Sequence, residues 1–292
     1  MTINTREAPL EATGQALLLS AVSASLAPAP EGVGGTSSWY DLAVDFADSG
    51  QSWHRYTAGL GVPDSAAARP GAARLPVKVP FLPASPALSA VYSFGYSHAA
   101  VNDVRVEKGN LDFYYKGPGS LLVAEGQPLT GTSMVVGGGT EAEYCAIYCV
   151  NTRGEAVYLG HTLANDFSDA GLRTAHRNLA NLSKLHPSAV CSDVVLADLP
   201  AVSTVYASVE RDGSAVWRRQ GTLGRRAMIY SRALMERLLL RRAGLFPPGT
   251  VVYLLLGSCV SSHKDGVELR DGDVITLRDS ASGLELTNPV SW

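Results

Sequence analysis

The chain has 292 residues, 46% hydrophobic and 17% charged, with a formal net charge of −3. This composition supports a packed core and argues against disorder. It supplies no broad positive field, which argues against nucleic acid as a partner.

Residues 1–30 read as a helix stopped by the Pro-rich APAPEG. The apolar run ALLLSAVSASLA at 16–27 follows Glu7 and Glu11, which offset Arg6, so an amphipathic helix is expected rather than a secretory leader. No apolar stretch is long enough to span a bilayer, and no membrane partner is expected. Residues 38–60 are mixed and carry Trp39, Tyr40, Trp53 and Tyr56. Residues 61–85 are rich in Pro, Ala and Gly and read as a linker. A boundary near residue 85 gives a small N-terminal domain, 1–85, and a larger domain, 86–292.

Beyond residue 85 the pattern turns to β. ALSAVYSFG, LDFYYKG, EAEYCAIYCV and EAVYLGHTL are short, rich in aromatic and β-branched residues, and punctuated by glycine. The stretch 230–243, YSRALMERLLLRRA, reads as a helix capped by Ser231 and stopped by Gly244 and Pro247. TVVYLLLGSC, DGDVITLRDS and LELTNPV return to strands. The fold class is therefore α+β and mostly β. Arginines cluster from Arg218 to Arg242 and read as the solvated face of a helix. Cys145, Cys149, Cys191 and Cys259 form no CxxC pair, which fits a reduced, cytoplasmic compartment.

Glu141 and Glu143 flank a single alanine in strand-like sequence, so both side chains share one face. A turn at Asn151–Gly154 would fold the chain back as a hairpin and bring Asp166 toward both glutamates. Three such oxygen ligands suit Mg²⁺ or a similar hard ion (Mn²⁺ or Ca²⁺); with only His161 near, zinc fits less well. The competing reading of E-x-E is an exposed alternating strand face, and that of Lys184 a surface lysine before Pro187.

The order of these motifs resembles the fumarylacetoacetate hydrolase superfamily. Glu141–Ala142–Glu143, then GHTLANDFSD at 160–169, then Lys184 is similar to its E-x-E, N-[DE]-x-S and lysine series, and GSC, DGVELRDGDVITL and LTNPV to its ending. YYKGPGSLLV and SKLHPSAV resemble the branch of 2-keto-3-deoxy sugar-acid dehydratases. The resemblance covers residues 90–292. It implies a mixed β-sandwich or roll catalytic domain with a small N-terminal domain, and a homodimer. It further implies metal ligands at Glu141, Glu143 and Asp166, Lys184 as a catalytic or substrate-carboxylate-binding group, and substrate contacts from Lys116, Gly257 and Ser258. The hydrolytic members carry an H-x-x-E pair. Here His98 matches the histidine, but Val101 stands at the glutamate position. Ala170 and Gly171 likewise replace an Arg-Asp pair.

A divalent ion here would chelate a 2-oxo acid and stabilise the enolate formed by losing the neighbouring proton. Lys184, held near the cation, would have a lowered pKa and act as base, and His98 would act as acid toward a leaving hydroxyl. The expectation is a metal-dependent dehydratase of a 2-oxo or 3-deoxy sugar-acid-like substrate. The alternatives are a C–C hydrolase or decarboxylase of an acylpyruvate, and a binding protein without catalysis.

Overall fold

A computed structural model describes residues 5–7, 17–20, 38–59, 78–95, 97–98, 111–131, 136–242 and 244–292. The N-terminal part supplies strands β1 (Thr5–Glu7) and β2 (Leu17–Ser20) and helices α1 (Trp39–Ser49) and α2 (Trp53–Gly59). Strands β3 (Ser89–Phe94), β4 (Phe113–Gly117), β5 (Leu122–Val123), β6 (Leu129–Thr130) and β7 (Gly138–Gly139) follow. Then come the long hairpin β8 (Ala142–Val150) and β9 (Ala156–Asn165), β10 (Ser168–Asp169) and α3 (Ala170–Ala175). The remainder is β11 (Ser188–Val190), β12 (Asp193–Val195), β13 (Ser203–Arg211), β14 (Ser214–Leu223), α4 (Arg232–Leu239), β15 (Val251–Leu255), β16 (Val274–Asp279) and β17 (Glu285–Ser291).

The protein is mostly β, with two large packed sheets and a two-stranded β10–β7 pair. A ten-stranded mixed sheet runs β1-β2-β12-β9-β8-β15-β3-β4, with β11 pairing both β9 and β5. A five-stranded sheet runs β14-β13-β16-β17-β6. Strand β8 explains the layering. All nine of its residues are buried, because both faces are covered. Tyr144, Ala146 and Tyr148 face a core shared with Val205, Val209, Ile275, Leu277 and Leu286 of the second sheet. Cys145, Ile147 and Cys149 face the other way, against Leu42, Phe46 and Trp53 of α1 and α2. Two-sided burial removes the alternation a one-sided strand would show.

Helix α1 is fixed at both ends. The Ser38 hydroxyl accepts from the Asp41 N–H at 3.2 Å, and Gly50 closes it at φ +64°. Its buried Leu42, Ala43, Phe46 and Ala47 recur at helical spacing. Trp53 stacks on Phe46 with ring centroids 3.6 Å apart, and its indole N–H donates to the Leu159 carbonyl at 2.6 Å. The aromatic residues of 38–60 therefore anchor this segment onto β9.

Three expectations need correction. Thr5–Glu7 and Leu17–Leu19 pair antiparallel, and β2 also pairs β12, so these residues are strand and not helix. A short apolar run such as Leu17-Leu18-Leu19 serves either structure, and periodicity cannot separate them. Residues 61–77 of the linker reading lie outside the described residues, but 78–85 are packed chain. Phe81 is fully buried and the Pro80 carbonyl accepts from the Tyr253 hydroxyl at 2.7 Å. The arginines do not share one helix: Arg218 and Arg219 lie on β14, while Arg232 and Arg237 lie on α4. The β13–β14 hairpin, with its two-residue turn at Asp212–Gly213, was not among the expected strands. Expected strands 87–95, 111–117, 141–150, 155–163, 250–259, 271–280 and 284–290 all overlap observed ones, and α4 has Ser231 as its N-cap.

Candidate metal centre

The β8–β9 hairpin forms as expected, with its turn at 151–154 and antiparallel arms. Register places Glu143 opposite Ala164 and Ala142 opposite Asn165. Glu141 stands just before β8, in a bridge with Ser261, and its carbonyl accepts from the Asp166 N–H at 2.9 Å. The start of β8 and the end of β9 thus bring the three acids together. One carboxylate oxygen from each of Glu141, Glu143 and Asp166 lies within 4.8 Å of the others. Glu143 and Asp166 are fully buried, and Glu141 is partly exposed.

Two buried ammonium groups complete the cluster. Lys184 Nζ lies 2.7 Å from Asp166 Oδ2 and 2.9 Å from Glu141 Oε2. Lys116 Nζ lies 2.5 Å from Asp166 Oδ1 and donates to the Phe167 carbonyl at 2.8 Å. Asp166 Oδ2 also accepts from the Ser93 hydroxyl at 2.6 Å. The Gly257 N–H donates to Glu143 Oε2 at 2.7 Å. Gly257 has φ +89°, and a Cβ there would sit 1.8 Å from Ser97 Oγ, so only glycine brings this amide to Glu143.

Charge decides which protons stay. Burial works against charge on Asp166, but Lys116 and Lys184 outweigh it and hold the carboxyl well below its usual range. Burial likewise opposes the charge of Glu141, and Lys184 wins, so Glu141 also titrates low. Glu143 has no lysine ion pair among the described residues. Burial, then the nearby Asp166 charge, pushes its pKa well above the ordinary value. Without a cation the cluster is therefore near neutral, with Glu141 and Asp166 charged, both lysines charged, and Glu143 holding a proton. A buried carboxyl kept protonated beside two other carboxylates fits a divalent cation, and the all-oxygen donor set fits a hard one.

The two lysines differ in their charge balance. Burial opposes the charge of Lys184, but Asp166, Glu141 and Glu143 together raise its pKa and favour the ammonium in the metal-free protein. Lys116 is the lysine whose pKa falls, because burial outweighs Asp166. The other candidates lie around this cluster. The Ser258 hydroxyl turns back to the Val260 carbonyl and accepts from the Val260 N–H at 3.1 Å, so it is engaged in its own loop. His98 is buried, receives or gives a hydrogen bond at Nδ1 with Ser97 at 2.9 Å, and has no partner at Nε2 among the described residues. Burial drops its pKa to about 4, so it is a neutral imidazole at pH 7. Val101 lies outside the described residues.

No family model matches the chain, and no curated protein matches its sequence. Solved structures do match. A 2-keto-3-deoxy-D-arabinonate dehydratase superposes over 69% of this chain and 72% of its own, with a TM-score of 0.57 and 19% identity. One structure of that enzyme is complexed with magnesium and 2,5-dioxopentanoate. The 5-carboxymethyl-2-hydroxymuconate delta-isomerase from Mycobacterium smegmatis matches 70% of this chain and 79% of its own, with a TM-score of 0.53 and 18% identity. The chain has the fumarylacetoacetate hydrolase fold.

Within that fold, several positioning side chains escaped the sequence reading. Asn165 Oδ1 accepts from the Thr140 hydroxyl at 2.7 Å and the Glu141 N–H at 3.3 Å, which sets the approach of Glu141. Asp169 caps α3 through the Leu172 N–H and also takes the Val136 and Gly137 N–H groups. Asn165 lay inside the N-D-x-S motif and could have been found there. Ser93 had only the signal of a hydroxyl in an apolar strand.

Proposed function

We propose that the chain is a divalent-metal-dependent hydro-lyase that dehydrates a 2-oxo acid of the 3-deoxy sugar-acid type. The observation that carries this reading is the convergence of Glu141, Glu143 and Asp166 with two buried lysines. The three carboxylates would hold Mg²⁺ or Mn²⁺, which when bound polarises the keto and carboxylate oxygens of a 2-oxo acid and acidifies the adjacent C–H.

The chain's own groups supply the remainder. Glu143 gives up its proton when a cation enters and becomes the third anionic ligand. Lys184, anchored between Asp166 and Glu141, is protonated at Nζ; it offers positive charge to the substrate oxygens and passes that proton to a departing β-hydroxyl. Lys116 fixes Asp166 from the opposite side and keeps it ionised. His98, neutral and unpartnered at Nε2, is the acceptor for the proton on carbon. Burial of the cluster keeps bulk water from competing for these contacts.

The test is incubation of chelator-stripped protein with Mg²⁺ or Mn²⁺ and a panel of 3-deoxy-2-oxo sugar acids, followed by mass spectrometry. Loss of one water from a panel member, abolished by chelation, is expected. Two carbon fragments or released CO₂ would replace dehydration with C–C cleavage, and saturable binding without any product would make the chain a binding protein.

A further inference from the structure

Ser97 and His98 are buried against the loop that carries Gly257. Their backbone is pinned: the Ile229 N–H donates to the Ser97 carbonyl at 2.7 Å, and His98 bridges Met228. The Ser97 hydroxyl meets two groups, the Leu256 carbonyl and, at 2.9 Å, His98 Nδ1. A carbonyl oxygen only accepts, and a serine hydroxyl has one proton to give. That proton lies between the Ser97 and Leu256 oxygens, because two oxygens in contact without one repel. Ser97 Oγ is left with lone pairs alone for the histidine, so the ring is the donor: Nδ1–H gives to Ser97. A neutral imidazole carries a single ring proton. Nε2 is therefore the bare nitrogen, and it is buried without a partner among the described residues.

The peptide group that takes the Ser97 proton also reaches the acid cluster. Leu256 supplies its C=O and Gly257 its N–H, and that N–H donates to Glu143 Oε2 at 2.7 Å. The peptide is trans and planar, so its C=O and N–H point opposite ways. One rigid unit holds Glu143 on one side and, through Ser97, His98 on the other. A Cβ at residue 257 would fall on Ser97 Oγ, so the glycine serves both contacts. We propose that Ser97 is a positioning residue that holds His98 in its Nδ1–H tautomer and so makes Nε2 the nitrogen that takes a proton. This rests on the reading above for what His98 does and adds the group that fixes which ring nitrogen does it. The opposite tautomer would carry N–H at Nε2 and could accept nothing there.

The test is the nitrogen spectrum of the histidine rings in the full chain, labelled with ¹⁵N and held in EDTA at neutral pH. Long-range proton–nitrogen correlation distinguishes a protonated from a bare ring nitrogen, and the His98 signals are those that vanish in His98→Gln. Nδ1 is expected protonated and Nε2 bare, and Ser97→Ala should move both signals toward the average of the two tautomers. The second readout is deuterium uptake from D₂O into the methyl group of pyruvate by Mg²⁺-loaded protein, which Ser97→Ala should slow by about tenfold or more. A native spectrum with Nδ1 bare, or with both tautomers equally populated, overturns the inference and leaves the metal site standing. Native ring signals in a folded Ser97→Ala protein overturn the assignment to Ser97. The native spectrum requires no Ser97 variant, so it decides the tautomer even where Ser97→Ala misfolds. A native chain that takes up no deuterium counts against the 2-oxo-acid reading, while the ring spectrum still judges the tautomer.

Discussion

Replacing Glu143 by glutamine separates a metal ligand from a structural acid. In the metal-free protein Glu143 is held protonated by burial and by Asp166, and it accepts a hydrogen bond from the Gly257 N–H at 2.7 Å. A glutamine carbonyl can accept that same bond, and the amide is neutral as the protonated acid is. In chelator, Glu143→Gln should therefore cost little stability near pH 5. The sign at higher pH follows from the raised pKa. Between the unfolded and folded pKa values the native state holds one proton that the unfolded chain has released, so native stability falls as pH rises. The slope is about 1.4 kcal/mol per pH unit, and it ends above the folded pKa. Glutamine removes this slope. The variant should gain on the native protein by about that amount per unit from about pH 5 upward. His98 and His161, both held neutral with pKa values dropped to about 4, change stability in the opposite sense below about pH 6.5, but they are common to both proteins and cancel in the difference. Urea denaturation in EDTA at several pH values measures it. A variant that is uniformly less stable, with a difference independent of pH, would refute the protonated Glu143.

Three further outcomes follow from the same geometry. Mn²⁺ binding should release close to one proton per ion and tighten with pH, seen as a dependence of the calorimetric enthalpy on buffer ionisation; binding with no proton release contradicts the neutral apo cluster. Lys184→Met leaves Asp166 and Glu141 without their shared cation and should cost about 3–5 kcal/mol, read as a large drop in denaturation midpoint. Gly257→Ala would force a methyl onto Ser97 at a positive φ and pull the amide from Glu143; a loss of about 1–3 kcal/mol together with weakened metal binding is expected, and an unchanged variant would show that the loop does not position Glu143.

The legible part of this fold was whatever local pattern decides. The β8–β9 hairpin could be read because Asn151–Gly154 carries turn chemistry between two apolar runs, and that alone placed Asp166 beside Glu141. The β1–β2 pair was misread because three consecutive leucines carry no period. The two lysines were legible as residue types in a motif, but their opposite pKa shifts were not. Those depend on how many carboxylates each ammonium touches, which is long-range geometry: Lys184 touches two, and Lys116 only one. Ser93 meets Asp166 across 73 positions of chain, and no local pattern announces such a contact.

The central claim is that three acids form one cation site, and Mn²⁺ binding followed by the electron paramagnetic resonance signal of the free ion tests it most directly. Titration of the chelator-stripped protein should remove one Mn²⁺ per chain from solution, and the combined substitution Glu141→Gln, Glu143→Gln, Asp166→Asn should abolish that uptake while the far-ultraviolet circular dichroism remains that of a β protein. Equal uptake by the folded triple variant would place any bound metal elsewhere and contradict the account.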